Sequence, residues 1–399
     1  MSTLSFPRRR LLNLPIGNSK TASTSFLFQI IQKKNPMRLH RLLLTSFIIL
    51  VVFAEMQAQK FSNEFLSIGV GARAQAMGNA VIASTNDVYA GVWNPAGLAA
   101  LRPSDGLQLG AMHSEWFGGV GNFDYLSFTL PTTQGGNRLG FSLVRFGIDQ
   151  IPNTLSLYES DGSINFDNLS EFSSVDYAFL GSYAKEVNKA KGPIRFGGSI
   201  KVVHRRIGPF ATSWGFGADL GIQIVRDQWT WAALARDITT TFNAWSFSFT
   251  DEEIDILELT NNEVPINSVE ITRPQLILGG ARTFELSEKV TLQSELNLIL
   301  TTDGQRNTLI SADPISIDPA LGLEASYRNF LYLRAGVNQF QRELDFGSEE
   351  TLTFRPSMGL GLQLGSLLVD YAYTDLGDDA NTFSHVVSLR LGLKPRNRQ

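Results

Sequence analysis

From about residue 105 to the C-terminus the chain repeats one pattern: a stretch of alternating apolar and polar residues, a break, then another such stretch. Successive side chains of an extended strand point to opposite faces, so each stretch reads as a β-strand with one apolar and one polar face. About fourteen are counted, beginning near Asp105, Asn122, Asn137, Ser174, Ile194, Ser213, Trp229, Arg273, Lys289, Pro319, Phe330, Thr353, Ser366 and Ser384. In the sixth, Trp214, Phe216, Ala218, Leu220, Ile222 and Ile224 share one face, while Gly215, Gly217, Asp219, Gly221 and Gln223 share the other. Each stretch runs roughly 8 to 13 residues, the length of a tilted membrane strand. A soluble sheet with one wet face has the same period. The connections decide between them.

Odd-numbered connections run from roughly 6 to 35 residues and even-numbered ones from roughly 2 to 7, the alternation of outer-membrane barrels with long outer loops and short periplasmic turns. The strand count is even, as single-chain bacterial barrels require. With both ends of the chain periplasmic, residues 148–173 and 237–272 fall on the cell surface. The fold expected is all-β: an antiparallel transmembrane barrel of about fourteen strands over residues 105–394, with a polar tail at 395–399. That tail replaces the terminal aromatic on which many outer-membrane barrels finish. Only 18% of residues are charged and mean hydropathy is near zero, as expected where apolar wall residues alternate with polar luminal ones. The net charge of −4, with no basic cluster in the barrel region, gives no reason to expect a nucleic-acid partner.

The leading quarter is different. Residues 1–36 carry Arg8, Arg9 and Arg10 and show no packing pattern, so they read as an extension. Met37 then opens a secretory signal over residues 37–58: basic Arg38, His40 and Arg41, an apolar run from Leu42 to Ala54, and Met56-Gln57-Ala58 for cleavage. The apolar run is too short to span a bilayer comfortably; an amphipathic anchor is the alternative. Translation from Met37 and a mature chain beginning near Gln59 are the expectation, tested by mass spectrometry of the mature N-terminus.

Between signal and barrel, residues 59–104 fit neither period. Residues 69–99 are rich in glycine and alanine, and Asn94-Pro95-Ala96-Gly97 reads as a turn with φ fixed at Pro95. Small residues allow close backbone packing, so this reads as an irregular piece folded inside something larger; a Gly-rich loop of a soluble domain is the alternative. Gly71, Ala72, Arg73, Met77 and Gly78, followed by Trp93, Asn94, Pro95, Ala96, Gly97 and Leu98, resemble the N-terminal signature of the PorV/PorQ family of outer-membrane proteins. That family is related to the FadL-type transporters, whose luminal plug carries a similar Asn-Pro-Ala box. The resemblance implies that residues 59–104 plug the lumen.

Candidate chemistry is sparse. The four histidines have no second histidine at ligand spacing, there is no cysteine, and no GxSxG occurs, so neither metal, cofactor nor catalytic residues are expected. Arg195, Lys201, Asp219, Glu295, Glu324, Asp370 and Arg390 fall in the polar phase and should face the lumen, because a lipid-facing Arg or Lys at mid-membrane costs about 2–4 kcal/mol. Both signs are present, which favours pairing with one another and with the plug over a polar conduit. In residues 237–272, Asp251, Glu252 and Glu253 accompany Trp245 and Phe247. These form either a docking surface or a loop folded over the barrel mouth.

The resemblance implies a non-catalytic component or adaptor of the type IX secretion system, exported to the outer membrane. Its extracellular loops would bind translocon proteins or cargo bearing the C-terminal signal domain. The competing expectation is a FadL-like transporter of small hydrophobic molecules, which needs an apolar luminal pocket and a gap or kink in the wall beside the plug.

Overall fold

A strand with one apolar face leaves two unsatisfied backbone edges, and in a bilayer these are tolerated only if the sheet closes on itself. The computed structural model describes residues 62–131, 137–157, 163–302, 304–344, 350–375 and 383–393. The expected extension, signal and polar tail therefore lie outside the described residues. In chain order the strands are β1 (Leu107–Trp116), β2 (Gly121–Pro131), β3 (Asn137–Asn153), β4 (Ser170–Val187), β5 (Ile194–Ile207), β6 (Ala211–Arg226), β7 (Trp229–Arg236) and β8 (Thr241–Phe247). They continue with β9 (Ser268–Thr272), β10 (Gln275–Ser287), β11 (Val290–Thr301), β12 (Ser316–Tyr327), β13 (Leu331–Leu344), β14 (Glu350–Leu364), β15 (Leu367–Asp375) and β16 (Phe383–Leu393). Neighbours pair antiparallel, and β16 returns to β1, so the sheet closes. Segments β7 and β8 are two parts of one stave, as are β9 and β10. The barrel thus has fourteen staves, as the period and the connections indicate.

Registered pairs show why this cylinder belongs in lipid. Around the outer wall, His113, Asp124, Arg145, Tyr177, His204 and Trp214 form one row of polar and aromatic side chains. Two residues nearer the short-turn end, the row reads Ala111, Leu126, Leu143, Phe179, Val202 and Phe216. The next reads Leu109, Phe128, Phe141, Gly181, Ile200 and Ala218, and below it lie Leu130, Leu139, Tyr183, Gly198 and Leu220. Three apolar rows beneath a polar, aromatic one make a hydrocarbon band with an interfacial girdle. The barrel is an outer-membrane protein.

Two expectations need correction. Several strands are longer than 8 to 13 residues, β3 having 17, β4 having 18 and β6 having 16, while others such as β1, β2, β11 and β16 fall within that range. The longer ones continue past the apolar band, where no alternation of apolar and polar residues marks them. The stretch 237–272 is also not all loop. Trp245 and Phe247 lie in β8, and Trp245 is buried on the inner face beneath the Arg205 guanidinium, 5.1 Å from its ring, so it is no exposed docking aromatic.

Candidate functional site

The lumen is filled by the segment that precedes β1. It begins at the long-loop end, where Asn63 donates to the Thr272 hydroxyl (3.0 Å) and Ser62 hydrogen-bonds to Glu270. It winds through two short helices, α1 (Ala72–Ala76) and α2 (Ala90–Trp93), and a 3-10 turn over Pro95–Ala100, then reaches β1 at the short-turn end. Almost every residue of it is buried.

One side of the lumen seats this plug by shape. Asn94 ends α2: its side-chain oxygen accepts from Ala96 N (3.1 Å), and its amide donates to the Ile82 carbonyl (3.0 Å) and the Ile222 carbonyl of β6 (3.3 Å). A side chain that accepts from a backbone N–H two residues on starts the next turn, which Pro95 then enters with its φ already set. Pro95 and Ala96 lie so near β5 that a Cβ on Gly197 would fall on their backbone. Across the lumen, where charge also holds the plug, Met77 and Gly78 press the same way on Gly336 of β13, and Gly78 (φ +60°) itself meets Val337. Trp93 Nε1 donates to the Val70 carbonyl (2.8 Å), and Gly71 takes φ +87° beneath Tyr89. The Tyr89 ring stacks on Tyr125 at 5.3 Å, and burial pushes its hydroxyl pKa above the ordinary value. Gln223 of β6, which the sequence places on the polar face without a partner to name, donates to the carbonyls of Ile82, Ala83 and Thr85.

The other side seats the plug by charge. Arg73 of α1 meets Glu324 of β12 at 2.8 Å; Glu324 also meets Arg334 of β13 (2.6 Å), which in turn meets Asp370 of β15 (2.7 Å). Burial lowers the Arg73 pKa, but the carboxylates of Glu324, Asp87 and Glu295 together outweigh it, and the net shift is upward. Asp87 of the plug meets Arg390 of β16 (2.9 Å). Glu295 of β11 accepts from the amides of Ala83 (2.7 Å) and Ser84 (2.9 Å). Arg195 pairs with Glu186 (2.8 Å) near the short turns. Arg334 carries the sequence signal that its neighbours carry, standing in phase between Leu333 and Ala335.

The remaining luminal charges serve the wall. Leu220 pairs with Ala235 and Phe216 with Phe242, so only residues 217–219 of β6 face residues 236–241 of the stave opposite. The ladder stops there. Residues 237–240 make a detour with Asp237 (φ +54°) and Thr240 (φ +59°) in the left-handed region, and Ile238 N donates to the Ala218 carbonyl (2.9 Å). Behind the detour, Lys201 Nζ lies 2.9 Å from Asp219 and 2.5 Å from Asp237, all three buried; Asp237 N donates to Asp219 and the Thr241 hydroxyl to Asp237.

Between the plug and the long loops is a cavity of about 160 Å³ lined by Trp93, Ile82, Ile277 and Ile299 and by polar Arg236, Gln275 and Asn338. Outside it, helix α3 (Asp251–Leu259) begins in a capping box, Thr250 bonding Glu253 N and the Glu253 side chain returning to Thr250 N. Asp251, Glu252 and Glu253 make its first turn acidic, as the helix dipole favours. None of its residues is buried, and Leu259 is 85% exposed. Among the described residues, no group of three or more His, Asp and Glu is placed to hold a metal ion.

A closed barrel of fourteen staves whose leading segment fills its lumen decides the fold. It is that of the FadL-like outer-membrane barrels. The CymD monoaromatic hydrocarbon channel shares it at 14% identity and a TM-score of 0.50, the match covering 84% of this chain and all of that one. The toluene transporter TodX of Pseudomonas putida (15% identity, 84% of this chain and 100% of that one, TM-score 0.49) is also similar. So is a Pseudomonas aeruginosa FadL homologue (12%, 80% and 97%, 0.45). No protein-family model and no curated protein matches the sequence.

Proposed function

We propose that this barrel passes small hydrophobic molecules across the outer membrane, and that they leave through its wall rather than through its lumen. The observation that carries this reading is the break in the backbone ladder between β6 and the β7–β8 stave, level with the apolar row at Ala218 and beside Ser199, which donates to the plug at Gly91. A lumen packed with polypeptide obstructs a straight aqueous path, whereas an apolar molecule gains about 25 cal/mol per Å² by entering hydrocarbon directly. The fold held in common with a monoaromatic hydrocarbon channel supports it. The test is entry of a fluorescent naphthylamine into liposomes containing the purified barrel. Entry faster than into protein-free liposomes is expected; equal rates would refute the proposal.

Helix α3 favours a second reading, the type IX adaptor of the PorV/PorQ resemblance. Its acidic first turn, with the exposed Leu259 and Ile266 beyond, would be the surface that binds translocon proteins or cargo. Deleting residues 251–258 should then block surface delivery of secreted proteins while leaving naphthylamine entry unchanged. Unchanged delivery would remove the helix from any such role.

A further inference from the structure

We infer that Lys201 is the latch of the side passage, and that residues 237–240 are its moving part. The proposal rests on the transport reading for what passes; where the wall opens is argued from geometry alone.

Along most of the wall a stave is held to its neighbour by a backbone ladder, with register shifts in β3–β4, β10–β11 and β13–β14 and a gap on the far side of the detour between Arg236–Gln275 and Thr241–Thr272. Along residues 217–219 of β6 that ladder is missing, and the backbone N–H groups that cross the seam are Ile238 N, to the Ala218 carbonyl, and Asp237 N, to the Asp219 carboxylate. What replaces it is a side-chain cluster: the Lys201 ammonium, reaching from β5 behind β6, grips Asp219 of β6 and Asp237 of the detour. Gly217 makes this possible, since a Cβ there would meet both the Thr241 hydroxyl and the Lys201 chain. Besides those two N–H bonds, the detour is tied to the wall by a single cation lying between two carboxylates.

Such a tie is strong while whole and fails at one point. Removing the ammonium leaves two buried carboxylates facing each other, and their repulsion acts across the seam. Ile238 is already exposed, so a detour that swings away from β6 opens the wall at Asp219, which is registered with Ser199, the residue that donates to the plug at the Gly91 carbonyl. A small apolar molecule could then pass from the luminal side into the bilayer without crossing a headgroup region.

Amide hydrogen exchange on the barrel in lipid nanodiscs tests the latch without any transported molecule. In Lys201→Met, amides of residues 237–243 should exchange about a hundredfold faster than in the unmodified chain, with the plug amides unchanged. Equal exchange overturns the latch. The double variant Lys201→Met/Asp237→Asn removes the repulsion and should recover most of the protection. Failure to recover, in a barrel that still shows folded mobility on gels, overturns the charge argument. The chain has no cysteine, so Ala218→Cys/Ile238→Cys introduces a single disulfide across the seam. Oxidation should stop naphthylamine entry and reduction restore it; entry that continues through the locked wall overturns the side passage. No entry in any variant, with the exchange difference intact, refutes transport and leaves the latch standing.

Discussion

Two buried ion clusters lie in one lumen and do different work. Arg73, Glu324, Arg334 and Asp370 tie the plug to β12, β13 and β15, whereas Lys201, Asp219 and Asp237 tie the wall to itself. In the first, two guanidiniums alternate with two carboxylates across continuous ladders, so loss of a single contact leaves the strands in register. In the second, one ammonium serves two carboxylates where no ladder exists. A chain of paired charges over intact backbone fixes position; one shared charge over interrupted backbone sets up a point of release.

The strongest way to break this contrast is Glu324→Gln, which leaves Arg73 and Arg334 without their shared carboxylate. It should destabilise the seated plug by about 3–5 kcal/mol, read as protease cleavage within residues 72–99 and as ion conductance in planar bilayers, while the 237–243 amides stay protected. Loosening at both places would show that the clusters act as one. Next, Gly336→Val drives a side chain into the Met77–Gly78 backbone and should cost about 1–3 kcal/mol of overpacking. The plug should again become protease-sensitive with no charge altered, which separates shape from charge. Asn94→Ala, on the side seated by shape, should cost about 1–2 kcal/mol through the lost cap. It would lower the temperature at which the folded gel band disappears. Smallest is Thr250→Ala, about 1 kcal/mol confined to α3. Circular dichroism should lose helix signal with no change in that temperature; a shift would tie the surface helix to the barrel.

The wall was far more legible than what holds it. Its staves show in the period of two, and its closure in connections such as 227–228 that are too short for anything but a turn. The charged residues inside followed from phase, because Asp219 and Glu324 alternate with Leu220 and Leu323. Their partners did not, since a period says which way a side chain faces but not what it meets. Arg334 had the right phase, and only the fold brings it to Glu324. The detour at 237–240 leaves no mark, as Asp-Ile-Thr-Thr is compatible with a strand and the left-handed turns at Asp237 and Thr240 are imposed by the cluster behind them. Segments β8 and α3 did leave signals: alternation in residues 241–247, and Thr250 followed three residues later by Glu253. The acidic and aromatic composition of the region concealed both.

The leading segment meets the last strand at several points: Ala72 N donates to the Ser388 hydroxyl, the Tyr89 hydroxyl to the Leu389 carbonyl, and Arg390 to Asp87. The earliest part of the segment also reaches the long-loop end while its tail joins β1 at the opposite one. A finished cylinder would have to be threaded along its whole length through an opening it already fills. Assembly therefore has an order: the staves wrap around the leading residues, and the final stave to emerge from synthesis completes both the seam and the socket in one step.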